Sequence, residues 1–130
     1  MSSTIQSITP VLLVERIEPA LPFWRDRLGF EVLAEVPHED AIGFVMLGRD
    51  GLMVMYQTYA SVAADVPALA RERGTGVGLF IQVADLGAIE KALEGVPLVH
   101  PRRRTFYGMD EIILREPAGF VVTFAQPVGE

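Results

Sequence analysis

The sequence contains no cysteine, which excludes disulfides, thiolate nucleophiles and cysteine metal sites. Histidine is almost as scarce, with only His38 and His100 present, each beside a proline. We read both as solvated or structural residues rather than as a metal pair. No Ser-His-Asp or Cys-His set can be assembled from the chain.

Long apolar runs are also missing, and none approaches the roughly 20 residues of a membrane span. The first ten residues lack the basic start and apolar core of a signal peptide. We therefore expect a cytoplasmic protein with no membrane partner. Positive charge is sparse as well, with 11 Lys and Arg against 17 Asp and Glu and a net charge of -6. Because phosphate binding needs a basic face, nucleic acid is not an expected partner.

The chain does contain a repeated order of strand, helix and three strands. In the first copy, strands are predicted at 8–14, 30–36, 42–47 and 52–58. In the second copy, strands are predicted at 78–83, 96–100, 109–114 and 120–125. The intervening segments 37–40, 101–108 and 116–119 are predicted as turns or loops. The modules span about 1–60 and 76–130, and the connector 61–75 includes a short helical piece.

Local signals mark the two predicted helices. Pro19 suits a first helical turn, the spacing of Leu21, Trp24 and Leu28 places them on one face, and Gly29 ends the helix. In the second copy, Asp85 is the predicted N-cap and Gly95 ends the helix. The segment 49–51, Arg-Asp-Gly, predicts a tight hairpin turn between the third and fourth strands.

This repeat predicts an α+β fold made of two βαβββ modules in one domain, 1–130. Each module alone would leave one face of its sheet exposed. Pairing the modules would curve two mixed sheets around a shared cavity. Segment 11–14 corresponds to 79–82 or to a register one residue later, and segment 49–54 corresponds to 117–122.

Three segments carry a resemblance to a known family. The stretch 23–30, FWRDRLGF, and the stretches 107–111 and 115–120, YGMDE and REPAGF, resemble the glyoxalase, bleomycin-resistance and extradiol dioxygenase superfamily, the vicinal oxygen chelate fold. The similarity covers nearly the whole chain. It implies the fold, whereas the activity differs among such proteins because fold does not fix function.

The resemblance also implies where a metal would be held. Enzymes of this family typically bind one divalent ion through four His, Glu or Gln side chains, two from each module. Those positions fall at Pro10, Met55, Gly78 and Thr123, with equal spacing in both modules. Proline and glycine offer no side-chain ligand, and a thioether suits hard divalent ions poorly. The chain therefore resembles the metal-free bleomycin-resistance branch, and no metal or other cofactor is expected.

Candidate ligand-binding residues follow from the strands and from the resemblance. They are aromatic, thioether or polar side chains, namely Phe44, Met46, Met55, Phe80, Tyr107, Met109, Glu111 and Thr123. Core filling is the alternative for the methionines and for the aromatic residues. Strand alternation places Met109, Glu111 and Ile113 on one face, which we predict to be the inner one. An inward glutamate needs a donor or cation, either from a ligand or from an arginine, Arg115 or one of 102–104.

Three functions remain open at this point. The first is a metal-independent homodimer that sequesters a small, partly apolar molecule such as an antibiotic or toxin. The second is a metal-free enzyme in which Glu111 is the general base and Tyr107 or an arginine polarises a carbonyl. The third is a lyase, isomerase or dioxygenase with a displaced metal site at His38, His100 and Glu111. The arginine run 102–104 either flanks the cavity mouth and meets an anion or is simply solvated.

Overall fold

Two four-stranded mixed sheets organise the computed structural model, which describes residues 7–67, 74 and 77–129. The first sheet contains β1 (Val11–Val14), β2 (Glu31–His38), β3 (Ala41–Arg49) and β4 (Leu52–Thr58). The second contains β5 (Gly78–Gln82), β6 (Leu98–Arg104), β7 (Met109–Arg115) and β8 (Val121–Pro127). Helix α1 (Tyr59–Asp65) follows β4, and helix α2 (Leu86–Ala92) follows β5.

The two sheets have the same topology. Their strand orders are β1-β4-β3-β2 and β5-β8-β7-β6, with the first pair of each sheet parallel and the others antiparallel. This confirms the predicted α+β fold with two repeated βαβββ modules. The described residues group into two compact units, one holding those up to 67 except Asp26–Leu28, the other holding Asp26–Leu28 and those from Gly74 onward.

Strand alternation gives the first unit a hydrophobic core on one face of its sheet. The side chains on this face are almost completely buried and include Leu12, Val14, Val45, Leu47, Val54 and Tyr56. Trp24 packs in the same core and makes edge-to-face contacts with Phe23 and Phe30. Its indole Nε1–H donates a hydrogen bond to the Tyr56 hydroxyl at 2.8 Å, which satisfies a polar group that burial would otherwise penalise.

The helix predicted before Gly29 is irregular rather than α-helical. A 3₁₀ turn at Glu18–Ala20 leads into a π-helical segment at Pro22–Arg27. Pro22 has no N–H to donate, so a regular ladder of α-helical bonds cannot run through this point. Gly29 adopts a φ of 74° and ends the segment, as predicted, and the Phe30 N–H donates to the carbonyl of Trp24.

The second unit builds its core in the same way. Ile112, Leu114, Val122 and Phe124 are buried on one face of its sheet, together with Leu86 of α2. Asp85 caps α2 as predicted, since its carboxylate accepts the Ala88 N–H at 3.1 Å. Gln126 of β8 supplies a second cap, because its Oε1 accepts the Leu86 N–H at 2.6 Å.

The two homologous hairpins use different turns. Between β3 and β4, Asp50 and Gly51 both have positive φ, 52° and 82°, the pattern of a two-residue type I′ turn predicted from the Arg-Asp-Gly segment. Between β7 and β8 the connection is five residues long, 116–120. There the buried Glu116 carboxylate accepts the Phe120 N–H at 2.9 Å and fixes the turn.

Several predicted boundaries were wrong. The first strand begins at Val11, and Ile8 is 91% exposed. Pro37 and His38 belong to β2, which leaves only 39–40 as the turn. The loop predicted at 101–108 is strand β6 as far as Arg104. In the connector, α1 accounts for the predicted helical piece, and positions 68–73 and 75 lie outside the described residues.

Among the described helices, none has the length and hydropathy needed to cross a membrane.

Candidate functional site

Each sheet has a second face, opposite its buried core, where side chains are only partly covered. We define the half-exposed face of the first unit by Phe44, Met46, Met53, Met55 and Gln57. Met46 lies directly opposite Met55, and Phe44 lies opposite Gln57. Directly opposed side chains of adjacent strands share a face, so these residues form one continuous surface rich in thioether and aromatic groups.

The half-exposed face of the second unit is defined by Phe80, Arg103, Glu111, Ile113 and Thr123. Phe80 pairs with Thr123, and Thr123 pairs with Ile113, which makes one row across three strands. The next row contains Arg103 opposite Glu111. Phe80 is 55% exposed although it is a large apolar side chain. Apolar and aromatic side chains with a few polar groups among them are the composition that ligand sites commonly have.

The eight predicted residues divide between these two faces. Phe44, Met46 and Met55 lie on the first, while Phe80, Glu111 and Thr123 lie on the second. Met109 falls on the second face by alternation, since it precedes Glu111 by two residues in β7. Tyr107 belongs to the 105–108 loop and reaches the second face through its hydroxyl group.

Glu111 is the centre of a polar network on the second face. Its side chain is only 1% exposed. Its Oε1 accepts hydrogen bonds from Nε and Nη2 of Arg103 at 3.2 and 2.8 Å, and its Oε2 accepts the Tyr107 hydroxyl at 2.7 Å. The sequence left open whether Glu111 pairs with an arginine, and Arg103 is that partner. Arg115, the other candidate, donates instead to the carbonyl of Gly119.

The same contacts shift two pKa values. The hydrogen bond from the Tyr107 hydroxyl to Glu111 raises the pKa of Tyr107, because losing the proton would place two negative oxygens side by side. The hydrogen bond to Glu111 also raises the pKa of the Arg103 guanidinium. The network therefore holds a neutral phenol and a permanently charged guanidinium around one carboxylate at neutral pH.

The arginine run 102–104 is divided by strand alternation. Arg104 lies opposite Asp110 and donates to its carboxylate. Arg102 donates to Glu90 of α2 at 2.8 Å and also approaches Asp110. The pKa of Asp110 is lowered, chiefly by its hydrogen bond from Arg104. Of the three arginines, only Arg103 lies on the half-exposed face of the second unit. The run was predicted to be a solvated loop or the rim of a cavity, and its members instead lie on opposite faces of β6.

Sequence reasoning did not single out Arg103 among the three arginines. The reason is the misplaced boundary of β6, because a segment predicted as a loop gives no alternation to read. Extending the strand to Arg104 would have placed Arg103 opposite Glu111. Gln57 was also missed as a member of the first face, although its position alternates with buried neighbours. Ile113 was placed on the same face as Glu111 by alternation, and it lies there.

The residues at the family's metal positions do not suit a divalent ion. The carbonyl of Pro10 accepts the Met55 N–H at 3.0 Å, so these two positions are adjacent as the resemblance implies. Thr123, however, pairs with Phe80 rather than with Gly78, which pairs with Val121. Because Val11 pairs with Met55 in the first module, Phe80 is the counterpart of Val11. The residue that corresponds to Pro10 is therefore Leu79 rather than Gly78, and leucine offers no metal ligand either.

Histidine does not replace the missing ligands. The His38 ring lies 3.8 Å from the carboxylate of the neighbouring Glu39, and the His100 ring lies 2.7 Å from the carbonyl of Pro101. Across residues 7–67, 74 and 77–129, no three His, Asp or Glu side chains are grouped closely enough to hold a metal ion.

Comparison with known proteins places this geometry in context. The family model described as Glyoxalase/Bleomycin resistance protein/Dioxygenase superfamily matches residues 4–124. No curated protein matches the chain.

Solved structures share the fold over almost the whole chain. Lactoylglutathione lyase from Agrobacterium tumefaciens has a TM-score of 0.73 at 20% identity and covers 94% of each chain. The bleomycin-binding protein from Streptomyces verticillus, complexed with copper(II)-bleomycin, has a TM-score of 0.64 at 22% identity, covering 99% of this chain and 100% of that one. A glyoxalase/bleomycin resistance protein/dioxygenase from Nocardioides has a TM-score of 0.73 at 17% identity, covering 98% and 87%. At these identities the likeness establishes the fold alone.

Proposed function

Because the chain belongs to the glyoxalase/bleomycin resistance protein/dioxygenase superfamily, we propose that it is a metal-independent protein that binds a small, partly apolar molecule. The observation that carries the proposal is the set of residues at the family's metal positions, Pro10, Met55, Gly78 (Leu79 in the register of the structure) and Thr123. No pair among them offers ligands that a hard divalent ion prefers. A binding role needs no such ligands and uses the apolar surfaces that the two half-exposed faces provide.

The composition of these faces supports a ligand with an extended apolar body. Met46 and Met55 are flexible thioethers that adapt to irregular shapes, and Phe44 and Phe80 offer aromatic surface. Tyr107 and Met109 add polar and apolar contacts at one end of the second sheet, where Glu111 holds the Arg103 guanidinium in place. The bleomycin-binding protein of similar fold makes bleomycin a reasonable first probe. Sequestration of such a compound would confer antibiotic resistance.

We further propose that the functional form is a cytoplasmic homodimer enclosing the ligand in a shared cavity. Each unit has a sheet face that its own core does not cover, and a short chain with half of its residues apolar gains stability from burying more surface. Light scattering at low micromolar concentration should give twice the chain mass of 14.3 kDa. A monomer mass would contradict this arrangement.

Binding is tested by calorimetric titration with metal-free bleomycin, copper(II)-bleomycin and the neutral dye phenylnaphthylamine. At least one of them should saturate a site, and the melting temperature should rise with its concentration. The variant Phe80→Ala should weaken that binding, whereas Leu52→Ala, which removes an exposed leucine outside the half-exposed faces, should not. Absence of saturable binding by all three probes would contradict the proposal.

The metal-free enzyme remains the alternative, and the geometry favours it less. A general base needs a free lone pair near the substrate proton. The Glu111 side chain is only 1% exposed, and its carboxylate already accepts three hydrogen bonds from Arg103 and Tyr107, so a substrate proton has little access to it. Metal analysis of protein purified without chelators separates the metal enzyme from both other functions. A stoichiometric divalent ion that is lost on substitution of His38 or His100 would favour that enzyme.

A further inference from the structure

We propose that the ligand carries an oxyanion group, such as a carboxylate, sulfonate or phosphate, and that Arg103 binds it on the half-exposed face of the second unit. The inference rests on the proposed function, since it specifies the chemistry of the ligand held there. Glu111 acts as a positioning residue that fixes the guanidinium, and it does not contact the ligand.

The first step is the division of the three arginines. Arg102 and Arg104 bind the carboxylates of Glu90 and Asp110 on the side of β6 away from the half-exposed face. Arg103 points to the opposite face, beside Glu111. The three arginines are consecutive in the sequence, but only Arg103 lies on the half-exposed face of the second unit.

The second step is the difference in exposure between the partners of the ion pair. The Glu111 side chain is 1% exposed, whereas the Arg103 side chain is 43% exposed. A molecule approaching this face therefore meets the guanidinium before the carboxylate. Guanidinium carries five N–H donors, and two of them point to Glu111. An oxyanion with two oxygens side by side, as in a carboxylate, sulfonate or phosphate, is the partner that the remaining donors match best.

The third step is preorganisation. An arginine side chain that has no partner before binding loses much conformational entropy when a ligand fixes it. Here two hydrogen bonds to a buried carboxylate already orient the guanidinium, and the Tyr107 hydroxyl holds the other carboxylate oxygen. The cost of ordering Arg103 is thus met during folding rather than during binding.

The surroundings of Arg103 indicate an amphipathic ligand. Ile113 lies on the same face of β7 two residues after Glu111, and its row continues through Thr123 to Phe80. An apolar ring system lying along this row would place an acidic substituent at Arg103. The ligand class is therefore an aromatic or alicyclic molecule with one acidic group, rather than the cationic ligand that an unpaired Glu111 would select.

A pair of dyes tests this inference. Anilinonaphthalene sulfonate and phenylnaphthylamine share one ring system and differ in the sulfonate group. By fluorescence titration, the wild type should bind the sulfonate about tenfold more tightly, the usual size of a hydrogen bond to a charged group. Arg103→Gln should abolish this advantage and leave phenylnaphthylamine binding unchanged. Arg104→Gln, the matched control from the opposite face, should retain both affinities.

Each outcome separates the inference from the proposed function. Equal affinity for the two dyes in the wild type overturns the oxyanion site while leaving the apolar binding function intact. If Arg103→Gln still binds the sulfonate dye more tightly than the neutral dye, the role of Arg103 is wrong. Binding of neither dye rejects both proposals for this ligand class. If Arg103→Gln does not fold, Arg103→Lys keeps the charge but loses the planar fork, and its sulfonate advantage should fall severalfold.

Discussion

The half-exposed faces of the two units have the same strand topology but different chemistry. The first is defined by three methionines, Phe44 and Gln57, all uncharged. The second contains Arg103 and the buried Glu111, joined by hydrogen bonds and completed by Tyr107. The two sheets thus share their strand pairing, while their side chains give one face adaptable apolar contacts and the other a fixed polar group.

The largest effect should come from the core of the first unit. Trp24 is 1% exposed and makes a buried hydrogen bond to Tyr56. We expect Trp24→Ala to lower the free energy of unfolding by about 3–5 kcal/mol, since it leaves a large cavity. Tyr56→Phe keeps the ring and removes only the acceptor, so it should cost about 1–3 kcal/mol. Chemical denaturation of both variants measures the difference, and equal losses would show that the hydrogen bond rather than packing dominates.

The polar network of the second unit should give the next largest effect. Glu111→Gln preserves the shape but removes the carboxylate that accepts from Arg103 and Tyr107. We expect the free energy of unfolding to fall by about 1–3 kcal/mol, the range for hydrogen bonds to a charged group. Glu90→Gln, which affects a half-exposed ion pair with Arg102, is the control and should change stability by under about 1 kcal/mol. A more stable Glu111→Gln protein would mean that burying the carboxylate costs more than its hydrogen bonds return.

The two units should also differ in their response to pH. The backbone N–H of Ile42 donates to Glu18 in the first unit and lowers the pKa of that carboxyl. Stability from Glu18 is therefore present above its ordinary pKa and is lost as the pH falls through the lowered value. In the second unit the pKa of Tyr107 is raised by Glu111. Stability from Tyr107 is present below the ordinary tyrosine pKa and is lost as the pH rises through the raised value.

Denaturation midpoints across the pH range test this difference. In Glu18→Gln, the free energy of unfolding should fall less steeply as the pH is lowered. The remaining loss at acid pH comes from groups such as Asp110, whose pKa is also lowered. In Tyr107→Phe, the free energy of unfolding should fall less steeply as the pH is raised. The near-ultraviolet absorbance of tyrosinate gives an independent check, because one of the three tyrosines should ionise at a lower pH in Glu111→Gln. An unchanged tyrosine titration in that variant would contradict the assigned cause of the shift.

The smallest effect concerns the exposed thioethers. Met46, Met53 and Met55 lie on the first face and Met109 on the second, and all four are partly exposed. Mild peroxide should convert them to sulfoxides. Saturating phenylnaphthylamine should slow oxidation of Met109, which lies on the same face as Phe80, severalfold, measured by peptide mass spectrometry. Equal oxidation of Met109 with and without the dye would contradict binding on that face.

Local signals predicted much of the fold from sequence. The turn at Asp50 and Gly51, the cap at Asp85 and the helix end at Gly29 depend on a few neighbouring residues, and all three are present in the structure. The π-helical segment was not predicted, because the spacing of Leu21, Trp24 and Leu28 indicates a helical face without fixing which backbone hydrogen bonds form. The end of β6 was misplaced, since Arg102, Arg103 and Arg104 have no apolar alternation that would identify a strand.

The sequence by itself determined the repeat, the alternation that separates core from half-exposed residues, and the unsuitable residues at the family's metal positions. These properties depend on residue type and local period, which the chain carries without folding. Only tertiary structure decided that Glu111 pairs with Arg103 rather than Arg115, and that Thr123 pairs with Phe80. Both depend on the register between strands, which is set by packing and backbone hydrogen bonds between segments far apart in the chain.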